Sequence, residues 1–150
     1  MPADDLTIAG RFDGLEHRFP VRVYFEDTDL SGVVYHANYL RYMERGRSDM
    51  LRCAGIDQRA AHEGGEGVYV VRDLAIRYAA PARLDDMLVV ISRLVRIRAA
   101  SVHIHQRVMR GDEMLTQAEV EAAFVAPSGR AKRQPARWVD AFVPLLWKES

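Results

Sequence analysis

Residues His36 to Cys53 carry the one long helical pattern in this chain, and the strand-like segments lie on either side of it. Tyr39, Met43, Gly46 and Met50 recur at helical spacing with Leu40, Leu51 and Ala54 beside them. Arg41, Glu44, Arg45, Ser48, Asp49 and Arg52 cover much of the rest. Such spacing gathers the apolar set on one face of an amphipathic helix, which Gly55 is expected to close as a C-terminal cap. Glycine inside a helix costs roughly 1 kcal/mol against alanine, so Gly46 marks a position where a close backbone approach is expected. Ahead of the helix, Phe19, Val21, Val23 and Phe25 alternate with Pro20, Arg22, Tyr24 and Glu26. That is a half-buried strand, with Pro20 hinting at a sheet edge.

Beyond the helix, Asp57–Glu63 reads as a helical turn, and Gly64-Gly65-Glu66-Gly67 resets the chain. Four strand-like runs follow: Val68–Tyr78, Met87–Arg98, Ser101–Arg110 and Met114–Ala126, with Arg110-Gly111-Asp112-Glu113 as a hairpin turn. One helix cannot cover both faces of a five-stranded sheet. The order therefore implies an α+β fold in which the sheet wraps the helix and its open face packs on a second copy. Residues 1–16 lack clean periodicity and read as a loose leader to a single domain spanning 17–150. The tail is basic from Pro127 through Arg137 and ends in Trp138, Phe142, Leu145, Leu146 and Trp147, aromatic and apolar residues that cover the core or meet another subunit.

With 150 residues the chain fits one domain with a real core. A formal net charge of zero gives no strong pull on nucleic acid or anionic lipid. One cysteine, Cys53, excludes an internal disulfide, and in a helix it reads as a small buried apolar residue. No Cys cluster signals zinc. The first residues are acidic where a signal peptide would be basic, and no apolar run approaches the ~20 residues of a membrane span. A cytoplasmic protein without membrane insertion is expected.

The chemistry concentrates in Tyr24-Phe-Glu-Asp-Thr-Asp-Leu-Ser-Gly-Val-Val-Tyr-His-Ala-Asn-Tyr39. Asp29 follows a strand and precedes a glycine turn and a helix start, so an acid lies close to backbone N–H groups that no intrahelical carbonyl satisfies. Such a pair can activate water on one side of a carbonyl and hold its oxygen on the other. Read alone, Asp29 is more often a turn aspartate bonding its own backbone. His36, with Tyr35, marks the helix entry, where its N–H counts whatever the imidazole does. His103 and His105 form an H-x-H pair on one strand face, too little for a metal site without a third ligand, and His17 and His62 carry no pattern. Signals for serine hydrolase, P-loop and Rossmann chemistry are absent. Arg98, Arg130, Lys132, Arg133 and Arg137 are solvated surface unless the substrate carries phosphates.

This stretch resembles the signature of hot-dog-fold acyl-CoA thioesterases of the 4-hydroxybenzoyl-CoA thioesterase type. The closer match is to the Tol–Pal-associated, YbgC-type subgroup, with counterparts of Tyr78-Ala-Ala-Pro-Ala-Arg-Leu-Asp-Asp86 and Gln117-Ala-Glu-Val120. The resemblance covers about Phe19 to Phe124. It implies a hot-dog fold, a helix wrapped by an antiparallel sheet. It also implies hydrolysis of acyl-CoA or acyl-carrier-protein thioesters, with Asp29 as general base or nucleophile and the His36 N–H directed at the thioester oxygen. Arg98, and less directly Lys132, match positions that bind the CoA phosphates. CoA is then part of the substrate, no cofactor or metal is needed, and a homodimer or homotetramer is implied. Two alternatives stay open: a hot-dog dehydratase or hydratase, for which His17-Arg-Phe-Pro20 offers a superficial match, and a non-catalytic module of an envelope complex.

Overall fold

The structure is a computed structural model that describes residues 9–149. Its long helix, α1, spans Asn38–Cys53. The exit is a Schellman turn: Gly55 (φ 87°) donates to the Arg52 carbonyl at 3.0 Å and Ile56 to the Leu51 carbonyl at 2.9 Å. A short helix, α2 (Gln58–Glu63), follows, capped by the Asp57 carboxylate on the Ala60 N–H at 2.9 Å. Gly46 is the point of closest approach to the sheet, since a Cβ there would stand 2.8 Å from Val90 Cγ1. The apolar spacing of α1 thus does what its period implies, with one exception: Asp49, which the pattern assigns to the polar face, is buried.

Six strands form one antiparallel sheet: β1 (Arg11–Asp13), β2 (Glu16–Arg22), β3 (Val68–Tyr78), β4 (Met87–Ile97), β5 (Ser101–Arg110) and β6 (Glu113–Val125), in the order β1-β2-β4-β5-β6-β3. The sixth strand is β1, inside the stretch expected to be a loose leader. It turns back through Gly14 (φ 62°) and pairs Arg11 with Arg18. Three residues are too few for alternation to show. Residues 1–8 of that leader lie outside the described residues. β2 also differs from the expected strand, starting at Glu16 and ending at Arg22, because Phe25–Asp27 form a 3-10 turn in which the Asp27 carboxylate accepts the Tyr24 N–H at 2.9 Å. Pro20 lies beyond the residues that β1 pairs, where one side of β2 has no neighbour.

The core is two apolar clusters on the concave face. Tyr39, Tyr42 and Met43 of α1 pack with Val21, Leu88, Val90 and Val108. Met50 and Leu51 pack with Leu94, Ile104, Phe124 and the tail residues Trp138 and Phe142, which belong to α3 (Ala136–Phe142). Trp138 and Phe142 therefore close this chain's own core, whereas Trp147 is half-exposed with the Arg93 guanidinium 3.8 Å from its ring centroid. A buried polar group bridges the two clusters: Gln106 Nε2 donates to the Met43 carbonyl at 2.9 Å and to Ser92 Oγ at 3.0 Å.

The outer face of the sheet is not the open apolar surface expected. Glu16 accepts from Arg93 and Arg107, each at 2.6 Å, and Glu121 takes Arg72 at 2.7 Å and His103 at 3.0 Å. What is left unsatisfied is the β3 edge, eleven residues long with Val70, Val71 and Tyr78 exposed and a bulge between Val71 and Asp73.

Candidate active site

The chain from Val23 to α1 folds into a tight loop on the end of the sheet where β3 finishes and β4 begins. Asp29 N–H donates to the Val33 carbonyl at 2.9 Å, Gly32 N–H returns to the Asp29 carbonyl at 3.1 Å, and Thr28 bridges to Val34. Gly32 sits at φ 81°, a conformation that only glycine adopts without strain. Val34 then donates to the Ala82 carbonyl at 2.8 Å, fixing the loop to the β3–β4 connection.

Asp29 is exposed at the tip of this loop, and its Oδ1 accepts the Ser31 hydroxyl at 2.5 Å and the Ser31 N–H at 2.8 Å. These bonds, the hydroxyl first, hold its pKa below the usual carboxylate value. The carboxylate is ionised at neutral pH and its Oδ2 is unengaged among the described residues. The turn-aspartate reading is therefore true of Asp29, and the turn still leaves one oxygen facing outward.

Asp27 organises the helix entry. Its carbonyl accepts the Tyr35 N–H at 2.9 Å and the Asn38 side-chain amide at 2.9 Å. Tyr35, expected at the site, has therefore spent its backbone donor inside the loop. The next residue has not: among the described residues the His36 N–H has no acceptor, and neither has that of Ala37. The His36 carbonyl accepts Tyr78 Oη at 3.0 Å, and the imidazole rests between the Tyr35 ring, 4.5 Å away, and the Tyr78 ring, 6.1 Å away. The imidazole is exposed beside these two rings and makes no hydrogen bond among the described residues, and the backbone donor is also left open. Asp29 and His36 share one loop–helix junction without a hydrogen bond between them.

The two basic residues lie elsewhere. Arg98 is exposed in the β4–β5 turn, and its guanidinium has no partner among the described residues. Lys132 donates to the Glu66 carbonyl at 2.7 Å. Gln134, which sequence reasoning missed, welds this corner together: its amide donates to the carbonyls of Arg98 at 2.7 Å and Ser101 at 3.1 Å, and its oxygen accepts Tyr69 Oη. Arg137 is spent on Glu66 at 2.6 Å. This corner is at the far end of β4 from the Asp29 loop. Eleven residues of strand at about 3.3 Å each put the two ends about 30 Å apart.

The remaining histidines do other work. His17 is fully buried in β2 with Nε2 on Asp49 Oδ2 at 2.7 Å, which removes it from any substrate and with it the hydratase-like match. Asp49 Oδ2 also accepts the Gly10 N–H at 2.8 Å and Cys53 Sγ at 3.5 Å. Cys53 is exposed where a buried apolar residue was expected, its Sγ reaching only the Gly10 carbonyl and Asp49 Oδ2. His17, Asp49 and Cys53 are the one group of metal-capable side chains gathered among the described residues, and hydrogen bonds already fill it. His103 and His105 lie on the outer sheet face, half buried opposite Glu121 and Glu119 rather than open to solvent, and gather no third ligand there.

Comparison with known proteins agrees with this arrangement. A family model described as thioesterase superfamily matches residues 31–117, a span that contains Tyr35, His36 and Arg98 and begins just after Asp29. Acyl-CoA thioesterase YbgC of Haemophilus influenzae is 45% identical over 107 residues, 71% of this chain and 79% of that protein. Acyl-CoA thioester hydrolase YbgC of Escherichia coli is 43% identical over 111 residues, 73% of this chain and 82% of that protein. A probable thioesterase from Bartonella henselae, solved by crystallography, superposes with a TM-score of 0.76 at 40% identity, covering 80% of this chain and 99% of that one. The wrapped-helix sheet, the acid-bearing turn at the helix start and these matches together place the chain in the thioesterase superfamily, on its hot-dog fold.

Proposed function

We propose that this chain hydrolyses acyl-CoA thioesters to a free acid and CoA. The observation that carries the reading is the pairing of an ionised Asp29 with an unspent His36 N–H at one rigid junction. The substrate carbonyl oxygen, becoming an oxyanion, is received by the His36 N–H at the positive end of α1. Asp29 either draws a proton from the attacking water or attacks the carbonyl itself, giving a mixed anhydride that water then opens. CoA leaves as a thiolate, a good leaving group, so neither route calls for a metal or a cofactor. Tyr35 supports the site by its ring and not by its N–H. Single-turnover hydrolysis in ¹⁸O-water tests the anhydride route: label enters Asp29 only if an anhydride forms and water opens it at the Asp29 carbonyl. The names of the relatives support the acyl-CoA substrate; an acyl-carrier-protein thioester presents the same reacting atoms.

Asp29→Asn keeps the shape and removes the base or nucleophile. With general-base help worth ~10²–10⁴ in rate, a loss of at least that order in thiol release from acyl-CoA is expected, with melting unchanged. Near-wild-type turnover would sink the reading.

The site reads as complete only in an oligomer. Arg98 and Lys132, as binders of the CoA phosphates, stand about 30 Å from Asp29 in their own chain, estimated from strand rise. A two-fold axis pairing β3 with β3 of a second copy runs the two sheets antiparallel. The partner's basic corner then lies beside the Asp29 loop. The exposed β3 edge supports that pairing, and we read the protein as a homodimer, with a tetramer as the further assembly the resemblance implies. A cytoplasmic location and a link to the Tol–Pal envelope system belong to the same reading through the YbgC-type resemblance. Sedimentation at micromolar concentration that shows only monomer would contradict the assembly.

A further inference from the structure

One half-buried cation makes no salt bridge among the described residues. Arg47, on α1, is turned inward, and Nη1 donates to Gln106 Oε1 at 2.9 Å. Gln106 is fully buried and neutral, and its amide nitrogen is already bonded to Met43 and Ser92. No carboxylate reaches Arg47 within salt-bridge distance among the described residues. Glu44, one turn earlier, is exposed on the rim. Burial lowers the Arg47 pKa, and the Glu44 charge only partly opposes it. A partly desolvated charge is costly until an anion or further acceptors meet it.

Arg47 faces a groove of about 380 Å³ between α1 and the free strand β3, whose floor is Val70, Val71, Val102, Ile104 and Ala122. The groove is in line with the reacting centre. Leu40, Glu44, Arg47 and Leu51 recur at spacings of three and four, so they form one stripe along α1, and His36 lies just ahead of its first turn. Across the gap the β3 residue beside His36 is Tyr78, bonded to its carbonyl, and those beside Leu51 are Tyr69 and Val70. An acyl chain whose carbonyl sits at the His36 N–H therefore runs along apolar walls toward a cation at the floor.

We propose that this groove receives the acyl group and that Arg47 selects thioesters carrying a carboxylate at the far end of the chain, the ω-carboxyacyl class. The inference rests on the thioesterase reading above. The chain's own Glu44 lines the same groove and is the competing anion, but it makes no salt bridge to Arg47, whose Nη1 is directed at the buried Gln106 instead. The length follows from helix geometry. Eleven residues from His36 to Arg47 span about 16 Å, and the arginine side chain leans back toward the N-terminus, leaving about 10–12 Å. Eight to ten carbons, at roughly 1.25 Å of advance per methylene set by the 1.52 Å C–C bond, fill that distance.

The test compares suberyl-CoA and sebacyl-CoA with octanoyl-CoA and decanoyl-CoA on the full chain, wild type and Arg47→Met. A hydrogen bond to a charged group is worth about 10- to 100-fold, so wild type is expected to favour the carboxylated chain by about that ratio in kcat/KM. Arg47→Met, matched in length and neutral, is expected to lose the preference while hydrolysing the neutral chains at least as well. A wild-type ratio of threefold or less overturns the inference, and this measurement needs no variant to fold. A larger ratio that survives in Arg47→Met overturns the role of Arg47. Octanoyl-CoA hydrolysis without a carboxylate preference removes this inference alone. Turnover of none of the four overturns the inference, and absence of hydrolysis across a panel of short, long and aromatic acyl-CoAs removes the thioesterase reading itself.

Discussion

Asn38, Ser31 and His36 each test a different part of the junction between Asp29 and the start of α1. Asn38 is the first. Its amide and the Tyr35 N–H share the Asp27 carbonyl, so Asn38 locks the acid-bearing turn to the helix start. Asn38→Asp keeps the shape and sets a carboxylate against that carbonyl. Rate is sensitive to small misplacements of reacting groups, so kcat is expected to fall at least about tenfold with KM within about twofold, and Asn38→Ser to recover part of it. A loss confined to melting temperature would make Asn38 merely structural. Ser31 is the second. Its hydroxyl is the largest cause of the lowered Asp29 pKa, so the acid limb of kcat/KM is expected below the ordinary carboxylate range. Ser31→Ala moves it upward, and the Ser31 N–H bond keeps part of the depression. A limb that does not move would separate Asp29 from the ionisation that controls rate. His36 is the third: His36→Ala keeps the backbone donor and His36→Pro removes it. Since one oxyanion donor is worth ~10²–10³ in kcat, proline is expected to be far the worse at comparable melting temperature. The acid and the open donor were legible because they fall within one motif. The Asn38 lock was not, since it depends on where a carbonyl eleven residues upstream comes to point.

At the level of elements, the helix period gave the face of α1 but not its neighbours. Asp49 sits off the apolar stripe and is buried because the β1–β2 hairpin, invisible in a three-residue strand, folds over that side. Burial lowers the His17 pKa, and the Asp49 hydrogen bond and charge only partly oppose it. The unfolded chain then binds a proton that the folded chain resists. The sign follows: the neutral His17–Asp49 staple contributes fully above the unfolded histidine value near ~6.5, and stability declines as pH falls from there toward the lowered folded value. Denaturant melts between pH 8 and 5 are expected to show that decline, and His17→Gln to flatten it; an equal slope in the variant would assign the effect elsewhere. Gly46, one turn before Asp49 on a neighbouring face of the helix, tests the contact with the sheet. Alanine there gains roughly 1 kcal/mol of helix propensity. Its Cβ, however, would stand 2.8 Å from Val90 Cγ1, on a side chain with little rotamer freedom. Overpacking of about 1–3 kcal/mol is expected to outweigh the gain, and Val90→Ala to cost less in the Gly46→Ala background than in wild type.

For the whole molecule, the separation between the Asp29 loop and the Arg98 corner decides how many chains make one site. Element order alone could not give this, because it hides which strand ends share an end of the sheet; register does, with Tyr78 opposite Thr116 at one end and Val68 opposite Val125 at the other. For the proposed dimer it favours the β3 edge as the contact over the outer face, which carries the Glu16, Arg93 and Arg107 cluster. If a site takes Asp29 from one copy and Arg98 from the other, two disabled variants should repair each other. Asp29→Asn lacks the acid in every site, and Arg98→Glu repels the phosphates in every site. A mixed dimer has one site with both defects and one with neither. Random reassociation of equal amounts makes half the dimers mixed, so about a quarter of wild-type activity is expected to return, carrying the wild-type KM for acyl-CoA. Sites built within one chain would return nothing beyond the residual activity of Arg98→Glu at its raised KM. Activity that appears only after the two proteins are co-refolded, and not on brief mixing of preformed dimers, would show that exchange of subunits is what restores it.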